Sequence, residues 1–159
     1  MIEILIVIGI IGILSVIGMD GFFFSQKKAR DAARKSDLSN ISKALELYFH
    51  DHEAYPLSFA GDILGCGVSG TSACTWNGSS PFSAGTTVYM PRLPSDPNSN
   101  SNMRYYYTST GISYGLYALL ENTSDQFVRV AGWTSTDCVA GAGSVVCNYY
   151  VSEKGVERP

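Results

Sequence analysis

The chain has 159 residues, enough for one compact core with an appendage but not for two complete domains. A formal net charge of -3, with only 16% charged residues, supplies no basic field for gripping phosphates, which argues against nucleic acid as a partner. Apolar residues crowd the N-terminus while Gly, Ser, Thr, Asn and Tyr dominate later, so the two ends suit different surroundings.

The first predicted element is an apolar helix. From Ile4 to Met19 there is no charge and almost nothing but Ile, Leu, Val and Gly, a composition that needs lipid or protein around it. Its length of roughly 24 Å falls slightly short of a hydrocarbon core of about 30 Å, and Phe22, Phe23 and Phe24 extend it past Asp20. A cleavable secretory signal fits poorly, because a basic n-region and a clear small-x-small cleavage site are missing. An ordinary anchor leaves Glu3 unexplained: a carboxylate at the head of an apolar run is costly in lipid unless protonated or paired. Two partners suit it, its own helix-terminal N–H groups or the α-amino group of a neighbouring copy in a parallel bundle.

The run Met1-Ile2-Glu3-Ile4-Leu5-Ile6-Val7-Ile8-Gly9-Ile10-Ile11-Gly12-Ile13-Leu14 resembles the N-terminal signature of type IV pilins and type II secretion pseudopilins. Mature chains of that family open with Phe-Thr ahead of a Leu or Met, an Ile and the Glu; here the Phe, the Thr and the short basic leader removed by the prepilin peptidase are absent. The resemblance implies a mature or trimmed chain with Glu3 as the assembly glutamate, pairing with the Met1 amine of a neighbouring subunit. It further implies a helical filament of identical subunits with Ile4, Leu5, Val7, Ile8, Ile11 and Leu14 in its core. Such subunits wait in the cytoplasmic membrane and end in an extracellular type IV pilus. A secretion pseudopilus is the alternative within the family, and a monomeric membrane-anchored module, with or without bound calcium, the alternative outside it. The basic cluster of Lys27, Lys28, Arg30, Arg34 and Lys35 would by the positive-inside rule hold the C-terminal part in the cytoplasm; the cysteines and the family likeness place it outside.

With no proline before Pro56 and good helix formers from Ser25 to His52, one helix of roughly 75 Å runs through the first fifty residues. Leu38, Ile41, Leu45, Tyr48 and His52 alternate in steps of three and four, the stripe a head would cover. Gly18 and Gly21 are candidate flexible points in the protruding half. The charged turn from Lys27 to Asp37 reads either as a source of ion pairs between subunits or as a solvated face.

Residues 58 to 86 are rich in Gly, Ser, Thr and Ala without strong periodicity, and read as a surface loop stapled by Cys66 and Cys74. Four cysteines in the polar part suit disulfides in an oxidising compartment; spacings of C-x7-C and C-x8-C lack the tight knuckles of a zinc site. Pairing Cys66 with Cys74 and Cys138 with Cys147 closes two short loops, and the crossed connectivities stay open. Strand-like alternation marks 104–108, 112–119, 126–133 and 145–151. Tyr55-Pro56, the run Leu93 to Pro97 and Tyr117 to Glu121 are also similar to head features of pilins and the major pseudopilin. The expected fold is α+β: a long N-terminal helix with a protruding apolar half, packed at its other half on an antiparallel sheet of three or four strands, stapled by disulfides. Its parts are 1–24 as membrane and filament-core helix, 25–54 as the amphipathic continuation, and 55–159 as a head with loop 58–86 and β-meander 87–159.

Signs of catalysis are missing. His50 and His52 are the only histidines, and no GxSxG, HExxH or phosphate-cradling loop occurs, so no enzyme activity is expected. Asp96, Asn98 and Asn100 alternate like the oxygens opening an EF-hand loop, and the major pseudopilins carry calcium in a nearby loop. The pattern fails further on, where Ser101 replaces the glycine and Tyr107 the bidentate glutamate. No cofactor is therefore expected, calcium being the one candidate.

Overall fold

The computed structural model describes residues 2–67, 70–76, 79, 81–98, 103–129, 138 and 146–156, with the backbone alone for 16–21. Helix α1 runs from Ile2 to His52 and passes through Gly18 and Gly21 without a break. It ends where Glu53 takes a positive φ of 56° and donates its N–H to the Phe49 carbonyl at 2.8 Å. Pro56 then bars Tyr55 from helical geometry.

Only the C-terminal part of α1 meets the head. Leu38, Ile41 and Leu45 are fully buried against a core that includes Leu93, Tyr105, Tyr107, Leu116 and Val151, each aliphatic side chain contributing about 1.5–3 kcal/mol of burial. Tyr48 is half-buried and packs on this core, whereas His52 at the end of the stripe is exposed and lies flat on Tyr48, ring centres 4.1 Å apart.

The head carries three small antiparallel sheets. β1 (Ser58–Phe59), β2 (Asp62–Cys66) and β3 (Ser72–Cys74) form the first, β4 (Phe82–Ala84) and β5 (Thr87–Met90) the second. The third joins β6 (Tyr106–Ser109), β7 (Tyr114–Ala118), β8 (Tyr149–Ser152) and β9 (Gly155–Val156) in chain order. The α+β class expected from the sequence is the class observed.

Segment 58–86 departs from its expected form. It is no surface loop: β1 to β4 lie within it, and Ile63, Cys66, Cys74 and Phe82 are buried in the core. Three of these strands have only two or three residues, too short to display a period in sequence. The strand expected at 126–133 is absent over its described part, 126–129, where the Asp125 carboxylate accepts the Phe127 N–H at 3.0 Å in an Asx turn. Of the strand expected at 145–151, β8 realises the end, and Val145 lies outside the described residues.

Both disulfides are local, Cys66 with Cys74 and Cys138 with Cys147. In the four-stranded sheet Tyr107, Leu116 and Val151 stand opposite one another and face the core, while Tyr106, Tyr117 and Tyr150 form the matching row on the other face.

Candidate assembly surface and its joint to the head

The N-terminal part of α1 is apolar around its whole circumference. Ile2, Ile4, Leu5, Ile6, Val7, Ile8, Ile10, Ile11, Ile13 and Leu14 are each more than half exposed, as are Phe22, Phe23 and Phe24. A surface of this extent marks a contact with protein or lipid. The six residues expected in a filament core, Ile4, Leu5, Val7, Ile8, Ile11 and Leu14, all lie in it, spread around the helix rather than along one stripe. An added Cβ at Gly9 or Gly12 would meet nothing within 4 Å, so the backbone there is open to close approach by another helix. The one hydroxyl of the run is satisfied internally, Ser15 Oγ donating to the Ile11 carbonyl at 2.8 Å.

Glu3 stands exposed in the first turn, where the helix dipole favours a carboxylate. Met1 lies outside the described residues. Among the described residues no helix is long and apolar enough to cross a membrane, the described side chains of the run ending at Ser15.

Behind this surface, Lys27 and Lys28 of the charged turn are exposed, while Asp31 and Arg34 are buried against the head. Arg34 is fully buried, and its guanidinium donates to both Asp96 oxygens at 2.8 Å, to Asp31 Oδ1 at 2.7 Å and to Glu121 Oε1 at 2.9 Å. Arg30 adds bonds of 2.7 and 2.5 Å to Glu121, and Lys35 reaches Asp125 at 2.6 Å. Asp31 in turn accepts the backbone N–H groups of Glu121 and Asn122 at 2.9 and 2.8 Å. The cluster therefore ties α1 to two head segments at once. Burial alone would lower the Arg34 pKa, but hydrogen bonds and charge from Asp96, with bonds to Glu121 and Asp31, leave it raised. The bond from Arg30, with Arg34 behind it, holds the Glu121 carboxyl down to about 2 against the opposing effect of burial.

This cluster also takes up one of the candidate calcium ligands. Asp96 is taken up by Arg34 and by the Asn98 backbone N–H at 2.8 Å, and Asn100 lies outside the described residues. Among the described residues, no three His, Cys, Asp or Glu side chains are grouped to hold a metal ion.

No family model matches the chain, and no solved structure matches it. Type II secretion system core protein G of Pseudomonas aeruginosa is 27% identical over 141 residues, 84% of this chain and 92% of that protein.

That relative makes this a pilin-like chain by resemblance.

As a pilin-like chain it carries a joint that the sequence reading missed. Arg34 and Asp31 continue, one and two steps towards the N-terminus, the same spacing of three and four that sets Leu38, Ile41 and Leu45. That register was the available signal that they face the head rather than solvent.

Proposed function

We propose that this pilin-like chain is a structural subunit of an extracellular type IV pilus, without catalytic activity. The observation that carries the reading is an apolar helix exposed on every side from Ile4 to Leu14, with Glu3 at its head. Subunits wait in the cytoplasmic membrane and then pass their helices into a homo-oligomeric bundle at the filament axis. Burial of apolar surface at about 25 cal/mol per Å² drives that transfer. Glu3 pairs with the Met1 amine of a neighbouring subunit, which neutralises both charges and sets the axial step. Gly18 and Gly21 are the points at which the helix yields as it enters the bundle.

A second reading, a subunit of a type II secretion pseudopilus, is supported by the likeness to the Pseudomonas type II secretion system core protein G. The two disulfides favour the pilus, since cross-links suit a durable exposed fibre.

Electron microscopy of sheared surface material tests these readings, with Glu3→Ala beside the unaltered chain. Long fibres that contain the chain and vanish in Glu3→Ala, while the head keeps its disulfides and folded spectrum, are the expected result. Loss of secreted proteins without surface fibres would favour the pseudopilus. A chain that stays monomeric in the membrane, or normal fibres from Glu3→Ala, would overturn the assembly role.

A further inference from the structure

Between the apolar rod and the head, α1 carries a collar that the assembly reading does not use. Phe22, Phe23 and Phe24 are each more than half exposed, and three consecutive helical positions spread their rings over about 200° of the circumference. Lys27 and Lys28 follow one turn closer to the head, above Phe23 and Phe24, and both are exposed.

These two lysines differ from the other cations of the charged turn. Arg30 is bound to Glu121, Arg34 to Asp96, Asp31 and Glu121, and Lys35 to Asp125. Among the described residues neither Lys27 nor Lys28 has an ion-pair partner. Lys28 Nζ lies 4.6 Å from the centre of the Phe24 ring, in keeping with the lean of helical side chains towards the N-terminus. Its ammonium therefore sits beside the aromatic rings and not against the head. In sequence one acid, Asp20, stands against the two lysines between residues 20 and 29, so the collar keeps a net positive charge.

The position of the collar along the rod selects its partner. α1 is unbroken from Ile2 to His52, which puts Phe24 about 30 Å from Ile4 along the axis, and a hydrocarbon core is about 30 Å thick. A rod inserted up to its rings leaves the phenyl groups, which carry no polar atom, at the edge of the hydrocarbon and the ammoniums among the headgroups. Phosphate oxygens accept hydrogen bonds from an ammonium, and lysines beside a bilayer favour lipid of net negative charge over zwitterionic lipid. The head carboxylates that meet the next turns of α1, Glu121 and Asp125, are already bound to Arg30 and Lys35, so they do not compete for Lys27 and Lys28.

We infer that Phe22, Phe23 and Phe24 with Lys27 and Lys28 form a lipid-contact collar selective for anionic phospholipid, whose phosphate the two ammoniums bind. The inference rests on the reading that the rod lies in a membrane before assembly.

Fluorescence quenching by brominated lipids tests it. Phe23→Trp places a fluorophore in the collar of the full chain, reconstituted in phosphatidylcholine vesicles with a minor fraction of phosphatidylglycerol, and bromine is carried on one lipid or on the other. The unaltered chain gives the background of the native tryptophans. The expected result is quenching by brominated phosphatidylglycerol several-fold above that lipid's share of the bilayer, falling to that share when Lys27→Gln and Lys28→Gln are added together, and in molar salt. Both lysines are exposed, so their replacement leaves the head intact, and Lys43→Gln, an exposed position of α1 beyond the joint, should keep the full enrichment. Quenching in proportion to bulk composition, enrichment that survives loss of both lysines, or enrichment lost equally in Lys43→Gln would overturn the assignment while leaving membrane insertion intact. Quenching by neither lipid would put the rod outside the bilayer, and the membrane reading would fall together with the collar.

Discussion

Arg34 and Asp96, 62 residues apart in the chain, meet in the interior through two hydrogen bonds of 2.8 Å, fork against fork. Asp31 and Glu121 accept from the same guanidinium, so its removal would take from three carboxylates the buried cation they share. Arg34→Ala is expected to destabilise the chain by about 3–5 kcal/mol. Arg34→Lys should recover only part of that loss, because a lysine ammonium cannot reproduce the planar fork. Urea unfolding of the full chain in micelles, followed by near-ultraviolet dichroism of the tyrosines, measures both.

Acid should loosen the same joint through Glu121. Its folded pKa of about 2 lies below the ordinary value of 4.5, chiefly because of the bond from Arg30. A depressed carboxylate contributes stability that is fully present above the unfolded pKa and is lost as the pH falls through the folded one. The expected signature is a decline in stability between about pH 4.5 and about pH 2, with a shallower slope in Glu121→Gln. An unchanged slope in that variant would place the acid sensitivity elsewhere.

Tyr105 is buried and donates from its hydroxyl to Asp37 Oδ2 at 2.6 Å. Burial raises the Asp37 pKa, and this bond is what opposes it. In Tyr105→Phe the carboxylate loses its donor, for an expected loss of about 1–3 kcal/mol at neutral pH. Because the Asp37 pKa should then rise further, the deficit should shrink on acidification. Melting temperatures measured at pH 7 and pH 4 decide the point.

The Cys66–Cys74 disulfide lies in the core, Cys74 fully buried beside Ile63 and Phe82. Closing so short a loop stabilises by about 2–3 kcal/mol in the chain-entropy account. Replacing both cysteines by serine should cost at least that much, since it also places hydroxyls among apolar neighbours. Thermal melts of the double variant against the unaltered chain check this.

What was legible in the sequence follows from how far each signal extends along the chain. The helix announced itself through fifty residues without proline, and Leu38, Ile41 and Leu45 through spacing alone. β6 and β7 showed because strands of four and five residues rich in Tyr carry some alternation. β1 to β4 did not, since their place is fixed by contacts with one another and with β5 and β6 rather than by their own composition. Asp31 and Arg34 were hidden for a different reason. Charged residues on a helix usually face water, and only their register with the apolar stripe revealed otherwise. The partners Asp96 and Glu121 had no local signature whatever, being 62 and 87 positions distant.

The placement of this joint has a mechanical consequence. Tension applied to the rod must enter the head near Arg34, where bonds to Asp96 and Glu121 cross between the two parts side by side. Links loaded in parallel have to rupture together rather than peel one after another, and the Lys35 link to Asp125 lies one residue further along the same helix. The head is thus fastened to its stalk by a rivet rather than a zip.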